Sequence, residues 1–161
     1  MFAVFSDLRR ISFGATSALV TGMGLIIGLD AATVAKSAVI SSLLIIGVAD
    51  NLTDSLSVHM YQESERLEER RALRTTVANF FVRLLISISF VALLLVLPLS
   101  SAIGISLAWG FVLLSTLTYG LARLRQVNPL AEICRHGSIA IAVIALSKAI
   151  GSSIPYITAW L

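Results

Sequence analysis

The stretch SAVISSLLIIGVADNLTDSLSVHMYQESE, residues 37–65, decides the fold, because a long apolar run leads into carboxylates without a turn signal. Its first half has the composition of a membrane-spanning helix, which needs about 20 mostly apolar residues. Asp50 and Asp54 are therefore predicted inside the hydrocarbon layer, where an aspartate costs roughly 2.5–3.5 kcal/mol on insertion scales. Such residues usually face a bundle interior, a cavity or an ion path, so this helix is where we expect function.

The composition of the whole chain points to the same class of protein. Of its 161 residues, 57% are hydrophobic and 13% are charged. Several apolar runs approach the length needed to cross a bilayer. We therefore expect an all-α integral membrane protein, a single transmembrane domain over residues 1–161. The five expected spans are 11–29, 36–60, 76–97, 101–121 and 137–156.

The arginines predict the orientation of these spans in the cell membrane. They lie before span one, in the segment 66–83 between spans two and three, and between spans four and five. Arginine-rich connections usually face the cytoplasm, which predicts a cytoplasmic N-terminus and an outer C-terminus. The net charge of +3 thus reflects topology, and we expect no nucleic-acid partner, since interleaved aromatic residues are missing.

Helical spacing on span two predicts a metal site. Asp50, Asp54 and Ser57 fall on one stripe, and Asn51, Ser55, His59 and Glu63 fall on the neighbouring one. Oxygen and imidazole ligands, with the thioether of an adjacent methionine, suit a borderline cation such as iron(II) or manganese(II). The candidate metal ligands are Asp50, Asp54, Ser57, His59, Met60 and Glu63. For each residue the alternative is ordinary helix packing or hydrogen bonding between helices.

Two further sets of charges have both a functional and a structural interpretation. The segment 62–76 is predicted to be a short charged cytoplasmic helical extension, in which Glu65, Glu68 and Glu69 either collect metal ions or form a solvated, salt-bridged surface. Lys148 lies within span five at about the depth of Asp50. It could pair with Asp50 and make the site respond to protons, with Asn51 as a second coupling residue, or extend to the membrane surface.

Span one carries a GxxxG pair, Gly24 and Gly28, which permits close helix packing. Packing within one chain and packing between two chains both fit this pair. The chain has no internal repeat, so any symmetry that a transport path needs has to come from a second copy. We therefore expect a homodimer, with span one in its central contact.

The segments SFGATSALVTGMGLIIGLDAA and ADNLTDSLSVHMYQESE resemble the first two helices of the vacuolar iron transporter family, in a small prokaryote-like branch. The resemblance implies a homodimer, an ion path between the first two helices of both subunits, and export of iron(II) or manganese(II) against protons. It places Asp54 and Ser57 at the family's acidic and serine positions. The chain departs from the family pattern at the start of its first helix, where an acidic residue usually precedes a glycine but Ser12 and Phe13 precede Gly14 here. It also departs at Val58, where methionine is usual.

We therefore expect a proton-coupled transporter of a divalent metal that binds no permanent cofactor. The expected partners are a second copy, the lipid bilayer, the metal ion and protons. A transporter of a small cationic organic solute and a structural or regulatory membrane protein are the alternatives. We do not expect an enzyme, since no serine, histidine and acid have a usable spacing.

Overall fold

The computed structural model describes residues 2–64 and 69–159, with side chains at 12–57, 59–61 and 73–159. Over these residues the chain is all-α, as the composition predicts. Its five helices each contain a segment long and apolar enough to cross a membrane, which confirms the expected number of spans within the described chain. The helices are α1 (Phe2–Ala31), α2 (Lys36–Ser64), α3 (Glu69–Val96), α4 (Leu99–Arg125) and α5 (Pro129–Thr158).

The start of α5 differs from the sequence prediction. The helix begins at Pro129 rather than at residue 137. The side chain of Asn128 accepts hydrogen bonds from the amides of Leu130 at 3.0 Å and Ala131 at 3.5 Å. This cap and the proline at the first helical position stabilise an early start, which a hydropathy window misses because residues 129–136 are only partly apolar.

Helix α1 is the centre of the bundle and packs against all four other helices. Its buried side chains Leu19, Met23 and Ile26 meet Phe90 and Leu94 of α3 in one hydrophobic core. Gly110 lets α4 pack closely on α1, since a Cβ at this position would overlap the side chain of Met23. In contrast, α2 packs mainly against α3 and much less against α1, so it lies at the edge of the bundle.

Short connections at residues 32–35, 97–98 and 126–128 make the helices that they join run in opposite directions. At one end of the bundle, α4 passes into α5 through residues 126–128, where Gln126 closes α4 with a left-handed φ of 55°. At the other end, Lys36 donates a hydrogen bond from Nζ to the carbonyl oxygen of Leu97 at 2.9 Å. A lysine at the last carbonyls of α3 complements the negative end of that helix and ties it to the start of α2.

The GxxxG pair of α1 is used inside the chain. A Cβ on Gly24 would meet Ser147 of α5, and a Cβ on Gly151 of α5 would overlap the carbonyl of Gly28. Of the two interpretations that the sequence left open for this pair, packing within one chain is therefore correct.

Candidate functional site

The two aspartates of α2 are bridged by one arginine of α3. Nη2 of Arg83 lies 2.8 Å from Oδ2 of Asp50, and Nη1 donates a hydrogen bond to Oδ2 of Asp54. The four-residue spacing of the aspartates puts both carboxylates on the same side of α2, within reach of a single guanidinium group. All three side chains lie within the spans Lys36–Tyr61 and Leu73–Val96.

Burial of this ion-pair cluster is uneven. The side chain of Arg83 is 3% exposed, whereas those of Asp50 and Asp54 are 45% and 31% exposed. The guanidinium thus contacts the carboxylates from inside the bundle and leaves their outer side open. Within the described residues, Oδ1 of each carboxylate has no hydrogen-bond or ion-pair partner.

A small pocket lies on the inner side of this cluster, between α1, α2 and α3. Thr21 and Gly22 of α1, Asp50 of α2 and Arg83 and Ser87 of α3 are among the residues that line it. Thr21 is exposed and also lines a groove between α1 and α5, so it lies on the outer surface of α1 between α2 and α5. The open side of the carboxylates is therefore adjacent to this surface of α1.

Two further buried polar side chains lie near this cluster, one on α2 and one on α3. Asn51, 1% exposed, donates from Nδ2 to the carbonyl oxygen of Phe80 at 2.8 Å. Asn79, 2% exposed, packs so closely on Gly14 of α1 that a Cβ on that glycine would overlap its amide group. Both amide atoms of Asn79 lack a hydrogen-bond partner within the described chain. Asn51 therefore connects α2 to α3 directly, while Asn79 places unpaired polar atoms one helical turn from Arg83.

Sequence analysis missed Arg83. Arg83 was counted in the arginine segment 66–83 although it also falls within the expected span 76–97, and the structure places it near the middle of the apolar helix segment Leu73–Val96. A signal was present in the spacing, since Thr75, Asn79, Arg83 and Ser87 recur every four residues on α3. A polar stripe of that kind within an apolar run indicates a helix face that meets other polar groups.

Of the two alternatives left open for Lys148, pairing with Asp50 is not found within the chain. Lys148 is exposed on α5, and α5 packs against α1 and α4, whereas Asp50 pairs with Arg83 of α3. The sequence placed Lys148 and Asp50 at a similar depth in the membrane. A similar depth does not show which helices are neighbours, so it could not exclude or establish a contact between the two residues.

The other predicted site residues are less closely grouped. The exposed Ser57 donates its hydroxyl to the carbonyl oxygen of Thr53 at 3.0 Å, and Met60 is exposed. His59 is half-buried. The side chains of Glu63 and Glu69 lie outside the described residues, as do Glu65 and Glu68 altogether, and with them the central part of the predicted extension 62–76.

The chemistry available at the cluster is the binding of one cation by carboxylate oxygens. The formal charges of two carboxylates and one guanidinium sum to −1, and carboxylate oxygens are hard electron-pair donors. Among the described residues, no group of three or more His, Cys, Asp or Glu side chains is placed to hold a metal ion. No protein-family model, no curated protein and no solved structure matches the chain.

Proposed function

We propose that the chain transports a divalent metal cation, iron(II) or manganese(II), across a membrane in exchange for protons. Asp50 and Asp54 bind the cation in this proposal. The observation that carries it is the pair of carboxylates within a helix segment apolar enough to cross a membrane, of which one side is neutralised by Arg83 and the other is open. Carboxylates so placed are costly in lipid and usually belong to an ion path.

The exposure of these carboxylates supports a homodimer as part of this proposal. An aspartate that is 45% exposed at this depth would meet hydrocarbon in a single chain, which is strongly unfavourable. A second copy placed against Ser17 and Thr21 of α1 and Asp50 and Asp54 of α2 would cover it. We call this surface the α1–α2 flank. Two flanks facing each other would put four carboxylates around one path. The family resemblance likewise implies a path between the first two helices of both subunits.

The direction of transport rests on the arginines. Arg123, Arg125 and Arg135 lie near the end of the bundle where α4 meets α5, and the positive-inside rule assigns that end to the cytoplasm. The N-terminus would then be cytoplasmic and the chain would lie in the cell membrane. Release of the metal into a more acidic outer compartment would be driven by protons that compete for the same oxygens.

One observation favours a second candidate function, the transport of a small cationic organic solute. The cluster of Asp50, Asp54 and Arg83 carries one net negative charge, which a single ammonium group would neutralise. The apolar residues beside the pocket, among them Leu43 and Ile46, would contact an alkyl substituent on such a solute.

Uptake into proteoliposomes tests these candidates. The purified protein is reconstituted into liposomes that enclose a dye whose fluorescence metal ions quench. Quenching is recorded after iron(II), manganese(II), cobalt(II) or zinc(II) is added outside. Saturable quenching by iron or manganese that is lost in Asp54→Asn supports metal transport. Uptake of a radiolabelled alkylammonium without metal flux supports the second candidate. If the proteoliposomes take up neither the metal ions nor the alkylammonium, the result contradicts both transport functions and favours a structural or regulatory role.

A further inference from the structure

Arg83 provides a fixed positive charge that partly neutralises the carboxylates of Asp50 and Asp54. Its side chain is almost fully buried and contributes one guanidinium nitrogen to each carboxylate. Nε of Arg83 lacks a hydrogen-bond partner within the described chain, so the carboxylates are its only ion-pair partners there. The charged group is thus held by the site itself and not by a separate network of α3.

The contacts of Arg83 leave room for a second cation. Both ion pairs use Oδ2 atoms, and the outer sides of Asp50 and Asp54 remain open. A cation that approaches from the α1–α2 flank can therefore reach the Oδ1 atoms while Arg83 stays in place. Arg83 then does not block the site but sets the charge that an arriving cation meets.

Charge matters more here than at a water-exposed site, because an unbalanced charge is strongly unfavourable in a membrane interior. With Arg83 the cluster has a net charge of −1 per chain, and without it the charge would be −2. A more negative site binds a divalent cation more tightly and releases it less readily.

We propose that Arg83 is a specificity-determining residue that sets the net charge of the site formed by Asp50 and Asp54. Its positive charge lowers the affinity of this site for divalent cations enough for a bound cation to be released. This inference rests on the proposed function, since it concerns the same site. It assigns Arg83 a role through charge, beyond any role in joining α2 to α3.

The test compares variants by the charge they leave at the site. Asp50→Asn leaves 0, Arg83→Gln leaves −2, and the double variant Asp50→Asn with Arg83→Gln returns the charge to −1. Arg74→Gln, which removes an exposed arginine of the same helix, is the matched control for loss of a positive charge. Manganese(II) binding to the full chain in detergent is measured by the loss of the electron paramagnetic resonance signal of the free ion, and folding is checked by size exclusion.

If charge governs binding, affinity follows site charge. We expect Asp50→Asn to weaken binding about tenfold or more and Arg83→Gln to tighten it by a similar factor. The double variant should recover to within about threefold of the unmodified protein, whose affinity Arg74→Gln should match. A purely structural role for Arg83 predicts instead that both variants carrying Arg83→Gln bind more weakly.

The outcomes separate the two proposals. Unmodified protein that binds no manganese overturns metal transport at this site and this inference with it. Binding by the unmodified protein, with a double variant no better than Asp50→Asn, overturns the inference alone. Loss of folded protein in both variants that carry Arg83→Gln also overturns it, because Arg83 would then serve only to hold α2 on α3.

Discussion

Gly151 of α5 lies directly against the carbonyl group of Gly28 on α1, so closely that a Cβ on Gly151 would overlap the Gly28 oxygen. Such a Cβ would also lie 3.1 Å from the Cβ of Ala31. The two backbones therefore meet without an intervening side chain. This is the closest kind of helix contact that small residues permit in a membrane protein.

Gly151→Ala should consequently destabilise the bundle. Overpacking against backbone atoms costs about 1–3 kcal/mol, because neither helix can shift without disturbing its other contacts. The measurement is thermal unfolding of the purified protein in detergent. The matched control is Gly137→Ala on the same helix, where no atom lies within 4 Å of the new Cβ and the change should be neutral or slightly stabilising. Equal melting temperatures for the two variants would contradict the packing of α1 on α5.

Asp54→Asn should abolish metal flux while the protein stays folded. The variant loses one of the two carboxylates of the proposed site, but Arg83 keeps Asp50 as an ion-pair partner, so no buried charge is left alone. Flux is measured with manganese(II) in proteoliposomes, and folding by size exclusion. Asp30→Asn, an exposed carboxylate at the end of α1, serves as the control and should transport normally. Unchanged flux in Asp54→Asn would remove this residue from the path.

Cross-linking should distinguish the two faces of α1. In a background with Cys134 replaced by serine, Ser17→Cys should form a disulfide between subunits, since the α1–α2 flank would face the partner. Gly24→Cys should not, because Gly24 packs on Ser147 of the same chain. Val112→Cys, exposed on α4, is the control for random collision. A dimer that cross-links through Val112 but not through Ser17 would contradict the proposed arrangement.

Metal affinity should fall as the solution becomes more acidic. Carboxylates bind metal only when ionised, so protons compete with the cation for Asp50 and Asp54. Apparent affinity for manganese(II) is measured over a range of pH, and metal-driven proton movement is recorded in liposomes under an imposed pH gradient. Asp50→Asn should flatten the dependence on pH. Flux that is indifferent to both pH and this substitution would rule out exchange with protons.

Much of the fold could be predicted from local properties of the sequence. Hydropathy identified five spans, since the length and apolar character of each segment are local. It failed at the start of α5, where the cap at Asn128 and Pro129 extends the helix through a less apolar segment. Helical periodicity placed Asp50 and Asp54 on a common side of α2, and the structure agrees.

The sequence by itself thus determined that the chain is helical, with five segments apolar enough to cross a membrane and two carboxylates within the second of them. Only the tertiary structure decided that Arg83 bridges them, that Lys148 lies elsewhere, and that Gly24 and Gly28 pack on α5. The physical reason is that a helical repeat determines which residues share a face, whereas the helix that covers this face depends on packing over the whole bundle. Arg83 and Asp50 are 33 positions apart, and no local pattern connects them.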